Sequence, residues 1–173
     1  MTDDPLAGEP FTTADTRALI TLYQAATPPN TLRRTPWTWA ALKKDQAAVL
    51  ARVVREWVHF YNRVHAVTVK ELIPPCWPLH PGLAHELAVL VWAYYHAHHD
   101  PKATPLIAVD YHARYLASFR TRLDHMLGRD PHSCRAGEHT ATWRTTVDEQ
   151  LSEYSPTDLS ETQSLISQHF GFA

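Results

Sequence analysis

A chain of 173 residues, 45% of them hydrophobic, with 16 Lys/Arg against 18 Asp/Glu, is long enough to bury one core and has the usual size of a single domain. It has no uncharged apolar run of the roughly 18 residues a membrane span requires, and Asp3, Asp4 and Glu9 stand where a secretory leader needs positive charge, so a cytoplasmic protein is expected. In a reducing compartment its two cysteines read as thiols or metal ligands before they read as a disulfide.

Taken in chain order, Thr12 to Ala26 carries Leu19, Leu22 and Tyr23 at helical spacing and predicts a short amphipathic helix, ended by Pro28 and Pro29. Arg33 to Trp39 contains Pro36 and two tryptophans two positions apart, which predicts an extended or turn segment laying Trp37 and Trp39 on a core. From Asp45 to Val67 the apolar residues Val49, Leu50, Val53, Trp57, Val58, Tyr61 and Val64 recur at three and four, the pattern of a long helix. Four prolines at 74, 75, 78 and 81 bar a regular helix over Ile73 to Pro81. Pro81 then suits the first turn of a new helix that runs to about His99, with Leu83, Leu87, Leu90, Val91 and Tyr94 on one face.

After Asp100-Pro101, the Thr104-Pro105 pair repeats the start signal, and Val109, Leu116, Phe119, Leu123 and Leu127 mark a second long helix that Gly128 should stop in a left-handed turn. Beyond Asp130-Pro131 come a compact segment from Cys134 to His139, a weaker helix near Trp143 to Tyr154, and a tail in which Ser160 and Gln163 have capping-box spacing. With no strand pattern and no repeat, the expected fold is all-α: a small helical bundle with a central antiparallel hairpin. The expected organisation is an acidic arm with a short helix over 1–34, a helical core over 35–140, and an acidic tail over 141–173.

Charge is unevenly laid out. Residues 1 to 15 hold four acids and no base, Arg33 to Lys70 hold eight Lys/Arg against Asp45 and Glu56, and Thr145 to Ala173 hold five acids and no Lys or Arg. A basic middle supplies sequence-independent attraction to phosphate, which makes Arg33, Arg34, Lys43 and Lys44 the candidate face for duplex DNA. A solvated helix surface accounts for the same charges.

Each cysteine is followed closely by a histidine, as Cys76-x3-His80 and Cys134-x4-His139. Zinc takes thiolate sulfur and imidazole nitrogen in a closed tetrahedron, and short spacers let one turn offer two ligands to one ion. The first pair precedes one long predicted helix and the second follows the next. If these helices, each about 30 Å long, fold back on each other, Cys76, His80, Cys134 and His139 meet at one end of the hairpin. Four protein ligands leave no open position, so such a zinc is structural. Two other readings use the same residues: buried thiols with His80 as a mere helix cap, or a disulfide.

A further cluster, His96, His99 and Asp100, shares a helix face and suggests a metal-dependent hydrolase as the alternative function, although histidines are ordinary at a helix C-terminus. No Gly-rich phosphate loop, serine nucleophile elbow or other small-molecule cofactor signature is present, and no catalytic residue is assigned. Of the six tryptophans, Trp57 and Trp92 stand at helical core positions.

The order Trp37, Trp57, Ile73-Pro74-Pro75-Cys76-Trp77, His80, His85-Glu86-Leu87, then Cys134 and His139 resembles a domain of unknown function common on actinobacterial phages, plasmids and integrative conjugative elements. The resemblance spans roughly Pro36 to His139. It implies an accessory protein of an actinobacterial mobile element and carries no activity with it. The sequence expectation is therefore a non-enzymatic, zinc-stapled binding module with a protein or duplex DNA as its partner.

Overall fold

The computed structural model describes Phe11, residues 16–25 and residues 35–138. The chain divides into two compact units, Met1–Glu138 and His139–Ala173, and every described residue belongs to the first. The expected helix near Trp143 and the Ser160/Gln163 cap lie outside the described residues.

Described residues form no strand. Six α-helices follow one another, α1 Arg17–Gln24, α2 Lys44–Val64, α3 Pro81–His98, α4 Pro105–Asp110, α5 Ala117–Leu127 and α6 Pro131–Ala136, with a π-helical stretch Tyr111–Leu116 between α4 and α5. Three short 3-10 turns, Trp39–Ala41, Val69–Glu71 and Trp77–Leu79, lie in the connections.

The long helices form where apolar periodicity is strongest. α2 buries Leu50, Val53, Val54, Trp57, Val58, Phe60 and Tyr61, and at its start the Gln46 side chain accepts a hydrogen bond from the Lys43 N–H at 3.1 Å, satisfying a donor the helix cannot. α3 begins on Pro81 and buries residues on more than one side, from Leu83 to Ala97, as a helix surrounded by others must. It packs against α2, α4, the π stretch and α5. Glu86 in the first third of α3 pairs with Arg122 in the middle of α5, while Tyr94 and His98 near the end of α3 meet Tyr111 at the start of the π stretch. The two therefore run in opposite directions.

Aromatic residues close the other side. Phe11 lies on Trp92 and Tyr95, Tyr23 of α1 stacks on Trp92 at 5.2 Å, and Trp37 meets Tyr23 edge-on. The Trp39 indole N–H donates to the Ala84 carbonyl at 3.2 Å. Trp57 and Trp92 are buried in the core.

Two details depart from the sequence expectation. The second long helix is interrupted by the π stretch, and Val109, expected on its apolar face, is 63% exposed. A π turn holds one extra residue, so the buried row passes from Tyr111 to Leu116 and then Phe119, Leu123 and Leu127, leaving Val109 outside it. Gly128 stops α5 at φ 90°, ψ −146°, a glycine conformation but not the left-handed helical one. Two residues later Asp130 caps α6.

Candidate metal centre

The loop before α3 is built from turns. Pro74, Cys76 and Trp77 carbonyls accept in succession from the N–H groups of Trp77, Leu79 and His80, at 3.1, 2.9 and 3.1 Å, coiling the segment so that Cys76 and His80 face the same point. The loop is tied to α2 by one amide: Asn62 Nδ2 donates to the Ile73 carbonyl at 2.9 Å, and the Ile73 N–H donates to Asn62 Oδ1 at 3.0 Å.

Cys134 arrives from α6. Asp130 caps this six-residue helix, its carboxylate accepting from Ser133 N–H at 3.0 Å, Pro131 occupies the first position, and Gly137 ends it in the left-handed region at φ 81°. Arg135, whose side chain is 6% exposed, fixes the helix in place. It donates to the Leu72 carbonyl at 3.2 Å and to the Lys70 carbonyl, and pairs with Asp124 of α5.

These supports converge on three ligand atoms. His80 Nε2 lies 3.7 Å from Cys76 Sγ and 3.6 Å from Cys134 Sγ, and the three atoms all lie within 4.8 Å of one another. A tetrahedral zinc, with bonds of about 2.3 Å to sulfur and about 2.05 Å to nitrogen, separates sulfur from nitrogen by about 3.6 Å. The observed edges have that length. His80 and Cys134 are buried and Cys76 is half-buried, and the two cysteines are not joined in a disulfide. Burial, reinforced by the neighbouring Cys134 sulfur, pushes the Cys76 thiol up to about 11; a bound dication reverses that preference, since thiolate is the form that ligates.

Among the described residues, Cys76, His80 and Cys134 are the one group of three with metal-ligand geometry. His139, the fourth residue of the sequence set, lies outside them. The other histidine cluster does not assemble: His96 Nδ1 stands 3.9 Å from Asp100 and 3.0 Å from the Tyr23 hydroxyl, whereas the His99 ring lies against Tyr94 and Tyr95. Lys43 and Lys44 are exposed at the start of α2, and Arg33 and Arg34 lie outside the described residues. Sequence reasoning missed Arg135 and α6; the Asp130-Pro131 start and Gly137 stop were the available signal.

No described helix is long and apolar enough to cross a membrane. Comparison with protein-family models, curated proteins and solved structures returned no match.

Proposed function

We infer that the protein is a non-enzymatic helical binding module stapled by a structural zinc ion on Cys76, His80, Cys134 and His139, serving an actinobacterial mobile element by contacting a protein or DNA partner. The observation that carries this reading is the pair of 3.6 and 3.7 Å sulfur-to-nitrogen edges at a buried imidazole. A closed Cys2His2 set offers stability without an open coordination site, so the ion joins segments and performs no chemistry. The mobile-element assignment draws its support from the Trp37-to-His139 residue order alone. For DNA, support comes from the exposed Lys43 and Lys44 at the N-terminus of α2, where ammonium charge adds to the positive end of the helix dipole.

Elemental analysis of protein purified without a histidine tag tests the reading: one zinc per chain is expected, and Cys134→Ser should abolish it. Metal-free wild-type protein that cannot be loaded with zinc overturns it. The DNA version predicts retardation of duplex DNA that weakens steeply with salt and is lost on reversing Arg33, Arg34, Lys43 and Lys44. Absence of retardation at low salt removes that version.

A further inference from the structure

The candidate metal centre sets two sulfur atoms side by side. Cys76 Sγ lies 3.9 Å from the Cys134 carbonyl oxygen, and the two sulfurs, together with His80 Nε2, are all within 4.8 Å of one another. A disulfide holds its sulfurs at about 2.05 Å, so closure asks for a relative movement of no more than about 2.8 Å. Both thiols are free in the structure. Their exposure differs: Cys134 is 4% exposed, whereas Cys76 is half-buried and stands just ahead of a 3-10 turn instead of inside a helix. An oxidant reaches the one sulfur more easily than the other, and the sheltered sulfur is close enough to resolve the product.

We propose that Cys76 and Cys134 form a hydroperoxide-sensitive switch, a thiol pair that closes to a reversible disulfide and thereby gives up the bound metal. Cys76, held as thiolate by the ion, attacks the peroxide: an S–O bond forms, the O–O bond breaks, and the departing hydroxide takes a proton from solvent to leave as water. The Cys134 thiolate then attacks the sulfur of the Cys76 sulfenic acid. The S–S bond forms, the S–O bond breaks, and a second hydroxide is protonated to water. Two electrons pass from the sulfur pair to the peroxide, so two thiolates, one hydrogen peroxide and two protons become one disulfide and two waters. Thiolate is the form that ligates, so the ion loses both sulfur ligands and departs. The new bond joins the same two segments as the ion, the loop before α3 and helix α6, 58 positions apart. The cross-link therefore persists while the His80 imidazole is released. The proposal rests on the metal-centre reading, since the ion is what the disulfide displaces.

A small excess of hydrogen peroxide, added to the zinc-loaded full chain, provides the test, with zinc release followed by a coloured chelator and the thiols by mass spectrometry of digested peptides. One zinc per disulfide should appear, with Cys76 and Cys134 linked within one chain, and dithiothreitol should restore both thiols and zinc uptake. Helicity should persist, and the oxidised chain should melt above the reduced, chelator-stripped chain. In Cys134→Ser, dimedone should trap the sulfenic acid on Cys76. In Cys76→Ser, thiol oxidation should slow by about tenfold or more. Thiols that survive the peroxide, sulfur that passes directly to sulfinic acid, or links between chains overturn the proposal. Zinc uptake without the internal disulfide thus removes the switch alone. An internal, reversible disulfide in a chain that takes up no zinc removes the metal reading and upholds the pair as a thiol switch.

Discussion

At the end of α2 three imidazoles crowd one guanidinium. The His65 and His112 rings are 5.5 Å apart, His98 and His112 are 5.3 Å apart, and Arg120 donates to the His65 carbonyl at 2.7 Å. Burial first, then the charges of His112, Arg120 and His98, push His65 down to about 4 from an ordinary 6.5; burial and Arg120 lower His112 as well. Between pH 6.5 and 4 the unfolded chain holds the His65 proton and the folded chain does not. Stability therefore rises with pH across that window, is complete above it, and is lost as pH falls through it. Because His65 is only half-buried, the loss is on the order of 1–2 kcal/mol after allowance for solvent screening. Thermal unfolding at pH 7 and pH 5 should show the drop, and His65→Asn should flatten it. An unchanged slope in that variant would assign the pH dependence elsewhere. Cys134→Ser provides a second prediction at this scale: in zinc-containing buffer the variant should melt below wild type, and after chelator treatment the two should melt within a few degrees of each other. Equal destabilisation in both conditions would mean that Cys134 acts by packing alone.

Single elements are tested by two glycines. Gly82 lies in the first turn of α3 and Gly137 follows α6, and a Cβ built on either meets nothing within 4 Å. Only Gly137 has positive φ, at 81°. Gly82→Ala should therefore stabilise by about 0.5–1 kcal/mol through helix propensity and a less flexible unfolded chain. Gly137→Ala should destabilise by about 1 kcal/mol through left-handed strain. Denaturant melts of both variants check the pair, and the same sign for both would contradict the backbone argument. Elements of this kind were legible in the sequence to differing degrees. α2 and α3 announce themselves because each buries many residues at regular spacing, and the Thr104 hydroxyl does cap α4, accepting from Ile107 N–H at 3.3 Å. α6 escaped because six residues hold too few apolar positions to show a period, although Asp130, Pro131 and Gly137 marked both its ends. The π stretch escaped because regular spacing was assumed across it. The five-residue step from Tyr111 to Leu116 was the visible clue.

For the whole molecule, the metal would act as a cross-link. Cys76 and His80 are separated from Cys134 by α3, α4, the π stretch and α5, so one ion held there would tie the entrance of that long excursion to its exit. The core of α2, α3 and α5, around Trp57, Leu87 and Phe119, is apolar, and the burial of that surface favours folding with or without an ion. A strong chelator should accordingly lower the melting temperature while leaving most helical circular dichroism intact. With zinc at about a hundredfold above its dissociation constant, the linkage is worth about 2.7 kcal/mol, or roughly 5 to 10 °C for a chain of this size. Complete loss of helicity on chelation would show that the apolar core cannot stand without the metal. The convergence of Cys76, His80 and Cys134 could be argued from sequence because short connections make neighbouring helices antiparallel. Arg135 could not, because its partners on Leu72, Lys70 and Asp124 exist only once the ends have met.

X-ray absorption at the zinc edge, on protein expressed in zinc-supplemented medium and purified without a tag, bears most directly on the central assignment. A first shell of two sulfur atoms at about 2.3 Å and imidazole nitrogen at about 2.0 Å is expected, with the sulfur contribution reduced in Cys76→Ser. A shell of nitrogen and oxygen only, or a protein from which zinc is absent, would contradict it.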